Sequence, residues 1–236
     1  MLLQVRKKPI VYGGPSLHLA RRKYQGYFDY RDPVKRGDLH KLLEESPYKK
    51  GCVLITDGVF GESMAVSPCE CMDLIYAGWL LLGSSSMGAL RAADCSPVGM
   101  VGIGEVFMGY RMGYYHSDAD VAVLYQGEEH TEISVSIVHA DYIIRQLALC
   151  YFISGSSRNR LLRDLRNIVW YNRNPNIVSN LVEFHFDNPA ISKGFFTLWR
   201  KSEANPKIRD ALVACDMLSS YYLKHYATIG DFHDMG

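Results

Sequence analysis

The sequence predicts an α/β protein: a parallel sheet with helices on both faces over residues 1–125, then a mainly helical region over 126–236. Three observations carry this. In the first half, short apolar runs alternate with segments of helical period, as in strands joined by crossover helices. In the second half, apolar residues recur at three- and four-residue spacing, and Gly-rich turns nearly vanish after "YQG" at 125–127. The length of 236 residues, 48% of them hydrophobic, suffices for one large domain or two small ones.

In chain order, "PIVYGG" (9–14) reads as a strand bounded by glycines, and "PSLHLARRKYQ" (15–25) as a helix with Pro15 in its first turn. "GDLHKLLEES" (37–46) is a short amphipathic helix with Asp38 as its N-cap. "CVLITDG" (52–58) is a strand ending in Asp57-Gly58. "CECMDLIYAG" (69–78) is a helix closing at Gly78, which suits the left-handed residue after a helix. "WLLLGSSS" (79–86) is a strand and "MGALRAADC" (87–95) the helix after it. "VAVLY" (121–125) is strand-like. Three long amphipathic helices follow, over 130–152, 156–172 and 205–227, and their aromatic residues Trp170, Tyr171, Tyr221 and Tyr222 read as core. Strand and helix in this alternation imply a Rossmann- or flavodoxin-like parallel sheet.

The formal net charge of +1 gives no general electrostatic pull toward nucleic acid or an anionic membrane, so neither is an expected partner. No apolar run reaches membrane-spanning length, and "MLLQVRKKPIVYGG" lacks a secretory apolar core, so a cytoplasmic protein is expected. The six cysteines need not pair in that compartment. Cys69 and Cys71 are spaced too closely for a zinc knuckle, the histidines form no metal-binding pair, and neither a metal nor a cofactor is expected.

In open parallel sheets ligands sit beyond the carboxyl ends of the strands. The predicted ends are "GGPS", "TDG" and "GSSSMG", all small, polar or acidic. The third also starts a helix, whose unpaired N–H groups suit an anion or a developing oxyanion. Ser84, Ser85 and Ser86 add hydroxyls there. They serve either as a plain N-cap and tight turn or as groups presented to a ligand. Gly88 admits a ligand or another backbone. Arg91 sits one turn on, with Asp94 three residues later. Asp57 is a general base, a metal ligand or a turn former. No Walker lysine and no G-x-S-x-G elbow is present. "GIGEVF" lacks the third glycine of a dinucleotide fingerprint. In "HSDAD", Asp118 and Asp120 read as a solvated turn, with His116 a lone candidate beside them.

The pieces "GGPSL", "RGDL", "TDGVF", "VSPCE", "SSSMGALRAAD", "GMVGIGEVFMGYRMG" and "DADVAV", in order over about residues 10–125, resemble the TfuA-like family. "SMGALRAA" is the most specific of them. The resemblance implies an accessory protein of ribosomal peptide modification, a partner of YcaO enzymes in backbone thioamide formation. It would release sulfide from a thiocarboxylated sulfur-carrier protein and stimulate the YcaO partner, touching the precursor peptide only indirectly. Carried over by position, the implied site comprises Gly14, Pro15, Ser16 and Asp38, then Asp57 with Gly58, Glu70 after Ser67, and Ser85, Ser86, Met87, Gly88 and Arg91. Asp57 or Glu70 would activate water, Ser85 and Ser86 would act on the reacting carbonyl, and the others would bind substrate. This chain departs from the family pattern at Cys69, where a basic residue is usual, and at Asp94, where Glu is. A non-catalytic adaptor that only activates the YcaO partner is the alternative, and a nucleotide-binding regulator a third reading.

Overall fold

The computed structural model describes residues 8–45, 50–61, 63–127 and 130–226. The basic cluster at 6–8 lies mostly outside them, and so does the end of the last predicted helix. Along the chain run β1 (Ile10–Tyr12), a 3₁₀ turn Pro15–Leu17 leading into α1 (His18–Lys23), β2 (Asp29–Arg31), α2 (Asp38–Glu45), β3 (Cys52–Ile55), α3 (Pro68–Tyr76), β4 (Leu80–Ser84), α4 (Met87–Cys95), β5 (Val101–Ile103) and α5 (Glu105–Arg111). A hairpin of β6 (Tyr125–Gln126) and β7 (Thr131–Glu132) follows a 3₁₀ turn at Asp118–Asp120. Then come α6 (Ile137–Tyr151), α7 (Gly155–Asn167), α8 (Pro175–Phe186), α9 (Pro189–Trp199) and α10 (Pro206–Tyr226).

β1 to β5 form one all-parallel sheet in the order β2-β1-β3-β4-β5. This is the flavodoxin-like order, whose topological switch point lies between β1 and β3. Both faces are covered, so the inner strands β1 and β3 are apolar throughout rather than alternating. Ile10, Tyr12, Val53, Ile55 and Leu81 pack with α2, α3 and α4. Val11, Leu54, Leu82 and Ile103 pack with α1 and with Ala211, Ala214, Cys215 and Leu218 of α10. The last helix of the chain is thus part of the sheet's own core. α6 to α9 bury a separate cluster around Ile143, Leu161, Val178 and Phe195.

Several expectations hold locally. α4 spans Met87–Cys95 as its spacing implies. Gly78 is left-handed at φ +86 after α3. Its N–H donates to the Ile75 carbonyl and that of Trp79 to Leu74, the paired bonds that close a helix at glycine. Others need correction. Asp38 is the first residue of α2, not its cap, because its carboxylate turns back to accept the Lys35 N–H. β2 and β5 escape a periodicity reading because each is three residues long; β2 is a polar edge strand and β5 carries a glycine. Of "VAVLY" only Tyr125 is in a strand, at the start of β6: Val121 and Ala122 donate to the Asp118 carbonyl in a turn, and they are apolar because they are buried. The "HSDAD" turn is not wholly solvated, since buried Asp120 pairs with Arg166 at 2.9 Å. α8 and α9 each begin at an Asn-Pro pair whose asparagine caps the helix, at Asn174 and Asn188. No helix among the described residues is long and apolar enough to cross a membrane.

One buried residue sets a pH limit on the fold. His139, in the first turn of α6, has no hydrogen-bond partner of good geometry on either ring nitrogen. Burial, reinforced by the charge of Lys207, lowers its pKa to about 3, with the Ala204 carbonyl compensating only in part. The folded state therefore binds fewer protons at this ring than the unfolded chain does, whose imidazole titrates near 6.5. The contribution is complete above that value and is lost as pH falls from about 6.5 toward 3. Lowering pH from about 7 to about 5 should remove about 2 kcal/mol through this group. Denaturant midpoints measured across that range should flatten in His139→Leu, and an unchanged slope would contradict the assignment.

Candidate active site

The site is built from three strand ends at the switch point. After β1 the chain turns through Gly14 into the Pro15–Leu17 turn, which brings the backbone of 14–16 over the end of β3. There Asp57 is buried and its carboxylate is fully engaged. Oδ2 accepts the N–H groups of Gly14 at 2.8 Å and Ser16 at 3.0 Å, and Oδ1 accepts the Ser16 hydroxyl at 2.7 Å. The Ser85 hydroxyl in turn donates to Ser16 Oγ at 2.6 Å. The result is a directed chain, Ser85 to Ser16 to Asp57, that joins the ends of β4, β1 and β3. All three residues are buried. Hydrogen bonds of this kind gain strength from low local dielectric and from the charge at one end.

Ser85 is also conformationally unusual. Its φ is +70, a left-handed backbone at a non-glycine residue. Such a conformation costs on the order of 1–3 kcal/mol and persists only where the surroundings enforce it. Here the chain must leave β4 and enter α4 within two residues, so Ser85 forms a sharp strand-to-helix elbow. The sequence lacks the G-x-S-x-G spelling, yet the backbone makes a comparable turn.

Ser86 differs from its neighbours. It occupies the N-cap position of α4 but its side chain makes no cap bond. Together with Asp57 it lines a slot of about 220 Å³, walled by Pro15, Phe60, Tyr125 and Trp170. The Phe60 and Trp170 rings lie 6.1 Å apart between centroids. Tyr125 closes the slot from the β6–β7 hairpin, stacked at 4.9 Å on His130. Burial, with the nearby charges of Asp57 and Asp32, pushes the Tyr125 phenol above its ordinary pKa. The slot is therefore mostly apolar, with the Asp57 carboxylate and the Ser86 hydroxyl in its lining.

Gly14, Pro15, Ser16, Asp57, Gly58, Ser85 and Ser86 are thus brought together, and the remaining expected site residues lie elsewhere. Glu70 accepts the Ser67 N–H and hydroxyl on Oε1 and the Gly37 N–H on Oε2, so it closes a capping box on α3 and ties down the entry to α2. Asp38 holds the same entry. Met87 is fully buried in the core beneath the sheet. A Cβ at Gly88 would overlap the Ile55 carbonyl oxygen, so Gly88 serves the contact of α4 with β3. Arg91 donates to the Val66 carbonyl at 2.8 Å and to Asp94 at 2.7 Å, bracing the loop before α3. Ser84 ties β4 inward, donating to the carbonyls of Ile103 and Asp210. The helix start is also less open than expected, since the N–H groups of Ser86 and Gly88 both donate to the Thr56 carbonyl. Cys71 is buried and Cys69 exposed on α3, and neither lines the slot.

Trp170 is the residue that sequence reasoning placed in the core and the structure places at the site. Helical apolar spacing hid it, because it falls in a 3₁₀ turn after α7 that brings the second half of the chain over the sheet edge.

A family model described as "TfuA-like protein" matches residues 57–174. The match begins at Asp57, includes Ser85 and Ser86, and runs through α6 and α7 to Trp170 and beyond. It therefore takes in α6 and α7, which carried no recognisable motif, together with Trp170 of the slot, and stops short of Gly14–Ser16. A search of curated proteins finds no match.

Proposed function

Because the chain belongs to the TfuA-like family, whose members accompany YcaO enzymes as accessory proteins, we propose that this crevice hydrolyses the thiocarboxylated tail of a sulfur-carrier protein and so supplies sulfide for peptide-backbone modification. The observation that carries the reading is the buried Ser85–Ser16–Asp57 chain beneath a slot floored by Asp57 and Ser86. A slot of about 220 Å³ suits a short extended tail and is too small for a folded domain. Its aromatic walls keep bulk water from the reacting carbon, which strengthens every polar contact inside.

The reaction needs little from the protein. Water adds to the thiocarboxyl carbon, its proton passing to the Asp57 carboxylate. The carbonyl oxygen becomes an oxyanion beside the Ser86 hydroxyl at the start of α4. Collapse of that intermediate breaks the carbon–sulfur bond while Asp57 returns its proton to the departing sulfur, so hydrogen sulfide leaves and the carrier keeps a carboxylate. Ser16 and Ser85 hold Asp57 in place and give its proton a second path.

One observation favours the adaptor reading: Asp57 already accepts two backbone N–H bonds, as a purely structural staple of the 14–16 loop would. The test is direct. Purified protein mixed with thiocarboxylated carrier, with no YcaO partner present, should release trapped sulfide, and Ser86→Ala should slow release by about tenfold or more. A protein that binds carrier and stimulates a YcaO enzyme without releasing sulfide is an adaptor.

A further inference from the structure

A second cavity of about 610 Å³ lies on the other side of the Gly14–Pro15 turn, between α1, the β6–β7 hairpin and the segment joining α9 to α10. Its charge is one-sided. Arg21, Arg22, Arg200 and Lys201 line it, with His18 and His130. Among the described residues none of these four cations has a carboxylate within ion-pair distance. Arg21 is pinned instead to the carbonyls of Gly13 and Arg31. The acid on the wall, Glu132, is already neutralised by buried Lys207 at 2.6 Å. Four unpaired cations around one concavity are unexpected in a chain of net charge +1. They repel one another, and the fold holds them together without a compensating acid.

The rest of the lining is apolar. Trp199, Ile208 and Pro15 present a ring and two aliphatic surfaces beside the charges. The volume falls within the range of small-molecule sites. The position is also telling. Gly14 follows β1 directly, so the cavity opens beyond the carboxyl end of that strand, beside the switch point where ligands of this sheet topology sit. Arginine pairs with phosphate in a bidentate fork, and a tryptophan ring stacks on a planar base.

We propose that this cavity binds a nucleoside phosphate, with its phosphates among Arg22, Arg200 and Lys201 and its base against Trp199. The site is separate from the sulfur-release slot but shares Pro15 with it, so occupancy at one is felt at the turn that positions Ser16 and Asp57. The proposal does not rest on the hydrolytic reading, because binding is measured directly.

The experiment is microcalorimetric titration of the full chain with ADP, with inorganic phosphate and with a poly-glutamate peptide, at low and at physiological salt. ADP should bind with a Kd in roughly the micromolar range, more tightly than phosphate by about tenfold or more. The double variant Arg22→Glu/Arg200→Glu should weaken ADP by at least about tenfold, since both side chains are exposed and their reversal leaves the fold intact by thermal unfolding. Trp199→Phe should remove the change in tryptophan emission that ADP causes. No binding of ADP up to about millimolar concentration, or equal affinity in the charge-reversed protein, would overturn the proposal. So would phosphate binding as tightly as ADP. Binding of the peptide without ADP would reassign the cavity to an acidic polypeptide.

Discussion

Gly88→Ala should yield little or no folded protein. The helix α4 lies so close to β3 that a Cβ at this position overlaps the Ile55 carbonyl oxygen and crowds the Thr56 nitrogen. Those atoms belong to the middle strand of the sheet and to the backbone that accepts the Ser86 and Gly88 N–H groups, so neither can move aside as a side-chain tip would. Relieving the overlap means lifting α4 from the sheet, which opens the interface holding Met87 and Ala92, both fully buried. Overpacking by even small groups costs about 1–3 kcal/mol, and here the obstacle is rigid backbone, so the loss should sit at or above that upper figure. Circular dichroism and the unfolding midpoint of the purified variant measure it. A variant of native stability would mean that α4 is not seated as described. This substitution reports on folding, and loss of sulfide release in it says nothing about chemistry.

Asp57→Asn should leave the fold nearly intact and slow sulfide release by about a hundredfold or more. An asparagine keeps the shape. Its carbonyl oxygen can stand where Oδ2 stands and accept the Gly14 and Ser16 N–H groups. Its amide then lies where Oδ1 accepted the Ser16 hydroxyl, and an amide donates. Ser16 must reverse, giving its proton toward Ser85, and the directed chain runs the wrong way. Stability should fall by about 1–2 kcal/mol, because a charge-assisted set of bonds becomes a neutral one. If release is unaffected while the unfolding midpoint drops, Asp57 is a staple of the 14–16 loop and the adaptor reading stands.

How much of this was legible in the sequence follows from the range of the interactions involved. β1, β3, β4 and α4 announce themselves because their apolar runs and helical spacing are local, and so does the C-terminal glycine of α3. Asp57 and the serines were legible as candidates because a parallel sheet places its ligand edge at the strand ends. The bond from Ser85 to Ser16 spans 69 positions, and that from Ser16 to Asp57 spans 41, so nothing local could show which hydroxyls meet. At Gly88 a close approach was legible but not its partner, because a ligand and a close-packed strand demand the same missing side chain. Glu70 closes a capping box, a role that Ser67 three positions earlier made visible and that uses the same residue type as a catalytic acid. Trp170 was hidden for a different reason: it sits among apolar residues at helical spacing, and only the way the chain folds back over the sheet edge brings it to Phe60.

The measurement that bears most directly on the account is turnover of thiocarboxylated carrier by the wild-type protein in heavy-oxygen water, with sulfide and carrier mass followed together. Hydrolysis in the Asp57–Ser86 crevice predicts that solvent oxygen enters the carrier's terminal carboxylate in step with sulfide release, and that Asp57→Asn slows both equally while still stimulating the YcaO partner. A carrier that keeps its sulfur, or loses it without gaining solvent oxygen, while the partner is fully stimulated, would contradict it.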